Sequence, residues 1–383
     1  MDLSFTQQRS RLLASGLSVC LLAATGVGCS SSTTNNSASS SAVTCPQPPS
    51  SLPGFPVPQG PPVITGGFAY AVKTSSHKVV WYKVEGSGAL TSSGEACAGF
   101  QPTFIAANSA RKLAYVTNYN SNTVSAYTIG TDGALTALGT PVSAGNGPAS
   151  ITVDWTRNFV YVTNFNSDTV SVYTIGTNGV LELVEHKPTG GGPDAIAINS
   201  AGTRAYVANF RADTISTYKI NATTGKLEDV TVPNLPLATG SGPNAIAIHP
   251  TGSFLYVTNE ESNTVSAYTV NSTGGLSPVS GLPVATGSGP EGVTVDPTGK
   301  FAYVTDGQAD TISIYTIDVA TTGGLQTPRS FISTLPARDP EGIVMDPVTS
   351  TIYAVNRETN DVSAYKISNG TTGALTLVGH FGL

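Results

Sequence analysis

Charge is scarce in this sequence: Asp, Glu, Lys and Arg together make up only 11% of its 383 residues. The 18 basic residues are outnumbered by 24 acidic ones, giving a formal net charge of −6. Nowhere do Lys and Arg gather into a stripe. Phosphate backbones are held by clustered cations, so a nucleic-acid partner is excluded. The familiar chemical motifs are missing too. There is no Gly-x-Ser-x-Gly elbow, no paired-cysteine metal spacing and no phosphate loop, and His77, His186, His249 and His380 fall at no metal-ligand spacing. No metal or cofactor is therefore expected. Leu12 to Gly28 is mostly apolar or small, but it is too short and too rich in Gly, Ser and Thr to span a bilayer.

That stretch reads instead as a targeting segment over residues 1–28, with Arg9 and Arg11 as its positive start. It ends in "TGVGCSSS", which resembles a bacterial lipoprotein signal in which the retained cysteine, here Cys29, carries the lipid. Gly26 stands where a Leu is commonly found. Removing residues 1–28 takes away Asp2, Arg9 and Arg11, which moves the net charge from −6 to −7. Residues 29–61 follow as a Ser/Thr- and then Pro-rich tether. An exported, lipid-anchored monomer at the cell envelope is expected. Of the four cysteines, Cys20 leaves with the signal and Cys29 is lipidated, so Cys45 and Cys97 remain. They are either a disulfide, favoured by an oxidising compartment, or two free thiols.

What the chain has in abundance is repetition. Tyr70, Tyr115, Tyr161, Tyr206, Tyr256, Tyr303 and Tyr353 open similar segments ("YAVK", "YVTN", "YVTN", "YVAN", "YVTN", "YVTD", "YAVN") at spacings of 45 to 50 residues. Each is followed by a run of the type "TVSAYTI", whose alternation predicts a strand with Val and Ala on one face and Ser and Tyr on the other. A proline-led strand such as "PNAIAIH" precedes each, and a Gly turn leads to a fourth strand. Four short strands per repeat and seven repeats predict an all-β, seven-bladed β-propeller of four-stranded antiparallel blades over residues 62–383. The first inner strand, Val63–Thr65, is the shortest, and Trp81 stands where later blades carry Ala, Val, Thr or Ile.

Recurrence also demotes most of the suggestive polar residues. Asn118, Asn164, Asn209, Asn259 and Asn356 end second strands; Asn122, Asp168, Asp213, Asn263, Asp310 and Asp361 stand before third strands. Asn and Asp at such points bond the nearby backbone and tolerate left-handed conformations, so these positions are architectural. His249, in "HPTG", belongs to the same class.

The "YVTN" repeats resemble those of the YVTN-repeat β-propellers, which are similar to the lactonase, or 6-phosphogluconolactonase-like, family of seven-bladed propellers. The resemblance implies a site built on Gly-Pro-Arg-His, then His-Pro-x-Gly, then Asn-Glu. Here Gly242-Pro243, His249-Pro250-Thr251-Gly252 and Asn259-Glu260 match, while Asn244-Ala245 replaces Arg-His and Asp194 stands where a His is usual. Glu260 is then the candidate general base and Asn244 the candidate oxyanion donor. The residues following the repeat prolines, Thr103, Ala149, Asp194, Asn244, Glu291 and Glu341, are expected to ring one mouth of the channel. Asp194, Glu291 and Glu341, with Arg338 and Arg357 as the nearest cations, are candidate ligand-binding residues. Such a mouth repels a phosphosugar. Two functions stay open on sequence: a binding or scaffold module for an envelope protein, a glycan or a small ligand, and a lactonase-like hydrolase of a neutral or cationic lactone.

Overall fold

The computed structural model describes Cys45 and residues 59–383, apart from 231–235, 282, 320–321 and 327–329. The signal, Cys29 and most of the tether lie outside the described residues. Among those described, no helix is long and apolar enough to cross a membrane.

The strands form seven antiparallel sheets, each contiguous in sequence. Blade 1 runs Val63–Thr65, Phe68–Lys73, Lys78–Val84 and Leu90–Cys97. Blade 5, typical of the middle of the ring, runs Pro243–Ile248, Phe254–Asn259, Thr264–Val270 and Leu276–Pro278, with a short outer pairing at Val284–Ala285. Blade 7 runs Pro340–Asp346, Thr351–Asn356, Asp361–Asn369 and Ala374–Gly382. Among the described residues no strand is exchanged between the first and last blades, so other contacts close the ring.

Two ladders of tyrosines supply them. Each repeat-opening tyrosine donates its hydroxyl to a glycine carbonyl in the next blade: Tyr70 to Gly133, Tyr115 to Gly179, Tyr161 to Gly225, Tyr206 to Gly274, Tyr256 to Gly323 and Tyr303 to Gly373, all at 2.8–3.1 Å. The last, Tyr353, reaches Gly88 of blade 1 and completes the circle. The third-strand tyrosines point the other way. Tyr127, Tyr173, Tyr218, Tyr268 and Tyr315 donate to Cys97, Ser143, Pro188, Ala238 and Ala285 of the preceding blade, and Tyr82 donates to Gly382 across the seam. A buried hydroxyl needs a partner, and for these thirteen tyrosines the partner is the neighbouring blade.

Stacking corrects one expectation. The third strands do not present one core face and one wet face: Val124, Ser125 and Tyr127 are all buried, and Thr128 is the exposed residue. Each blade is a slice between two others, so both faces are covered. The turn residues also reach between blades. Asn122, Asp168, Asp213 and Asn263 adopt left-handed backbone (φ 53–54°) and accept the N–H of Gly147, Gly192, Gly242 and Gly289. In blade 7 that conformation belongs to Asn360, not Asp361. His249 is 3% exposed, with Nδ1 at 2.8 Å from the Thr251 hydroxyl and Nε2 at 3.0 Å from the Gly299 carbonyl, a turn-to-turn brace between blades 5 and 6.

Cys45 and Cys97 are disulfide-bonded, with Cα atoms 5.3 Å apart. The bridge fixes the leading segment to the outer strand of blade 1.

Candidate site at the acidic mouth

The register defines the mouth. In blades 2–7 the proline that begins the inner strand pairs with the last residue of the second strand: Pro102 with Asn118, Pro148 with Asn164, Pro193 with Asn209, Pro243 with Asn259, Pro290 with Asp306 and Pro340 with Asn356. All of these strand ends therefore lie on one face of the ring. Val63 pairs with Tyr70 as Val344 pairs with Tyr353, so counting back places Gln59 in the proline position of blade 1 and Gly60 in the ring position after it. The tether, expected to run to residue 61, thus meets the ring at Gln59. Gly60 donates its N–H to the Thr103 carbonyl at 2.7 Å. A Cβ on Gly342 would fall 2.2 Å from the Pro61 nitrogen, so the inner strands of blades 7 and 1 can lie this close only with glycine there.

A cavity of about 350 Å³ runs along the inner strands from this end. Its polar lining includes Gln59, Asp194, Asn244, Glu291 and Glu341 at this end and Ser150 and Thr152 further along; Ile105, Ile151, Ile196, Val293 and Ile343 make much of its wall apolar. Four of the expected ring residues thus share one cavity. Arg338 does not join them: its side chain is exposed, and its main-chain N–H bonds the Thr359 hydroxyl.

Glu341 is completely buried. Its Oε2 accepts the Gln59 N–H at 2.5 Å, and its Oε1 lies 3.0 Å from Arg357 Nη1. Arg357 also donates from Nε to Asp339 Oδ2 at 2.8 Å. The guanidinium therefore bridges two carboxylates, as its planar fork suits it to do. Burial is the largest influence on Glu341 and pushes its carboxyl up to about 8, while Arg357 and the Gln59 N–H pull in the opposite direction. Glu291 is pushed well above the usual carboxylate range, first by burial and then by the charges of Glu341 and Glu260; Arg357 opposes this only in part. Its Oε2 is buried without a hydrogen-bond partner among the described residues. Burial and the neighbouring acids thus favour the protonated form of Glu291, which has a hydrogen to donate.

Glu260 is 6% exposed, and its Oε2 lies 3.4 Å from Asn244 Nδ2. The same Nδ2 donates to the Pro290 carbonyl at 2.9 Å, and Asn244 Oδ1 accepts the Thr258 hydroxyl at 2.7 Å. Both hydrogens of the Asn244 amide are therefore directed at neighbours. Thr103 makes the corresponding link to the Pro148 carbonyl, so this part of the contact is a feature of the ring. Asn244 orients Glu260 and joins blade 5 to blade 6.

Ligand atoms of Glu291, Asp339 and Glu341 come within 4.8 Å of one another, a spacing that one ion could bridge. Arg357 already supplies positive charge to two of the three.

On the opposite arc the position that holds Glu260 and Arg357 carries aromatic side chains: Tyr119, Phe165 and Phe210. Phe165 and Phe210 have ring centroids 6.0 Å apart, and the guanidinium of Arg211 sits 4.4 Å over Phe165. The mouth is therefore acidic on blades 5–7 and aromatic on blades 2–4. Sequence reasoning missed this rim, and it missed Gln59. The rim was readable from the residue that follows each "YVTN"-type segment. Gln59 was hidden because blade 1 lacks the proline that marks the other inner strands.

A family model described as lactonase, 7-bladed beta-propeller, matches residues 65–381. Among curated proteins, none matches the chain in sequence. The solved structures it resembles include a protein from Lactobacillus plantarum (22% identity, TM-score 0.72, covering 82% of this chain and 95% of that one). A candidate 6-phosphogluconolactonase from Bacteroides fragilis is similar at 21% identity and TM-score 0.72, over 80% of this chain and 91% of that one. The periplasmic gluconolactonase of Pseudomonas aeruginosa is similar at 17% identity and TM-score 0.68, over 80% and 92%. At these identities the likeness is one of fold.

Proposed function

The chain belongs to the lactonase family of seven-bladed β-propellers, and on that premise we propose that it hydrolyses an unphosphorylated lactone at the acidic mouth, with Glu260 as general base. The observation that carries this reading is the placement of Glu291: it lines the cavity with one carboxyl oxygen unpartnered, and it feels the charge of buried Glu260. Two carboxyl groups with different protonation states suit ester hydrolysis.

Glu260 takes a proton from water as the water oxygen bonds to the lactone carbonyl carbon. The neutral Glu291 carboxyl donates a hydrogen bond to the carbonyl oxygen as it becomes an oxyanion. The ring C–O bond then breaks, and the leaving alkoxide takes the proton from Glu260. The product is a hydroxy acid, whose new carboxylate is repelled by Asp194, and this favours release. Arg357 is held by Asp339 and Glu341, and among the described residues no Lys or Arg lines the cavity to meet a phosphate ester. That is the physical reason to place the substrate among neutral or cationic lactones.

The same proposal places the protein outside the cytoplasm, tethered through lipid on Cys29. The Cys45–Cys97 disulfide supports an oxidising compartment. Loss of membrane association in Cys29→Ser is the expected result, and unchanged association would contradict it.

The hydrolase reading is tested by titrating acid release during incubation of the mature chain with matched lactones, with and without a phosphate ester. Turnover of the unphosphorylated series is expected. A panel without turnover would leave a binding module, and a preference for the phosphorylated series would overturn the charge argument.

A further inference from the structure

We infer that Gln59 is a substrate-recognising residue, whose amide oxygen takes a hydrogen bond from a ring hydroxyl of the ligand in the mouth, so that the site selects a hydroxylated ring over its deoxy counterpart. The inference rests on the mouth being the binding site, as proposed above, and adds to it the chemistry of what is bound.

Three observations support it. Gln59 is 5% exposed and lines the cavity together with Glu291 and Asn244, and its Oε1 is buried with no hydrogen-bond partner among the described residues. Buried amide oxygens are rarely left unpaired, because stripping one of water without a replacement bond is costly. Second, the fold does not need this side chain. The segment is held by its main chain, through the Gln59 N–H to Glu341 and the Gly60 N–H to Thr103. Third, the other six blades carry proline at the matching register, which has no polar side chain at all. A glutamine here is a departure from the repeat that costs the fold an unsatisfied group.

An amide oxygen accepts and does not donate, so its partner must bring a hydrogen. Glu291, which lines the same cavity and has an unpartnered carboxyl oxygen among the described residues, offers a hydrogen to an acceptor when protonated. A hydroxyl-bearing lactone satisfies both, with its carbonyl toward Glu291 and its hydroxyl toward Gln59. A site built to bond a hydroxyl discriminates against the analogue lacking it more strongly than an apolar pocket discriminates by size.

The test uses the mature chain, calorimetry, and a pair of hydrolysis-resistant lactams, one hydroxylated and one its deoxy counterpart. We expect the hydroxylated lactam to bind at least about 10-fold more tightly. In Gln59→Met, which keeps the main-chain bonds and the length of the side chain, the preference should fall to about 2-fold or less. Circular dichroism and thermal unfolding check that this variant folds. Equal binding of the two lactams by the unaltered chain, no binding of either, or a preference that survives in Gln59→Met would overturn the inference. The assignment separates from the hydrolase reading. If the lactams bind with the expected preference but no lactone is opened, the hydrolase reading falls and Gln59 stands. If lactones are opened with the same hydroxyl preference in kcat/KM in both chains, the reverse holds.

Discussion

The hydroxyl of Tyr353, in the last blade, donates to the main-chain carbonyl of Gly88, in the first, at 2.8 Å. Burial pushes this phenol up to about 12, so it stays a neutral donor across the physiological range. Gly88 has a backbone φ of +89°, and a Cβ there would fall 2.3 Å from the Thr351 hydroxyl. With no strand exchanged between the two blades, this bond and Tyr82 to Gly382 are the tyrosine contacts that close the ring.

Tyr353→Phe should therefore lower stability by about 1–2 kcal/mol, the cost of leaving a buried carbonyl short of its donor. Tyr365→Phe is the contrasting case. Its hydroxyl is buried without a hydrogen-bond partner, so its removal should be neutral or stabilising. Chemical denaturation of both variants checks this. Equal losses would show that the bond to Gly88 is not what distinguishes them.

Asp306 offers a second test of stability. In other blades an asparagine at this position donates to a serine, as Asn118 does to Ser125 and Asn259 to Ser266. Asp306 reverses the direction and accepts the hydroxyls of Ser313, Thr311 and Thr286. Burial raises its carboxyl above the ordinary Asp value, despite those bonds. A carboxyl with a raised folded-state value favours folding when protonated, so its ionised form costs stability above that value, and the cost fades as pH falls through it. Asp306→Asn should gain stability at neutral pH and gain less under acid conditions. A variant less stable at pH 7 than the unaltered chain would contradict this.

Arg357→Gln should destabilise the fold by about 2 kcal/mol, since Glu341 and Asp339 lose their counter-charge. The loss should be larger near pH 9 than near pH 6, because Glu341, pushed up to about 8, is ionised at the first and protonated at the second, where it needs no cation. A loss of equal size at both pH values would assign Arg357 a packing role only.

Catalysis should show an alkaline limb. Glu291 is needed with its proton, and that proton leaves as pH rises through its raised value. kcat/KM should therefore fall at high pH. In Glu291→Gln, whose amide still donates, the limb should flatten. A limb unchanged in this variant would move the titration elsewhere.

The sequence carried the architecture further than the site. Seven tyrosine-led segments were enough to count blades and to set the strand order, because each blade repeats one solution to one packing problem. Stacking of blades on both faces was not legible, since the alternation in "TVSAYTI" looks like a half-exposed strand until its neighbours are in place. The ring after the prolines was readable for Asp194, Asn244, Glu291 and Glu341, because a marker residue fixed their register. Gln59 lacked that marker. Arg338 and Arg357 look alike in sequence, each close to an acid, and only the position of Arg357 at the end of a second strand turns it toward Asp339 and Glu341. Protonation of Glu291 depends on charges from three blades brought together by ring closure, which no local pattern contains.

The most direct test of the hydrolase reading is the hydrolysis of an unphosphorylated, hydroxylated lactone by the mature chain and by Glu260→Gln, followed as acid release at constant pH. The account predicts turnover by the unaltered chain and a loss of at least about 100-fold in kcat for the variant, the usual contribution of a general base. Turnover that survives in Glu260→Gln, or none in the unaltered chain, would contradict it.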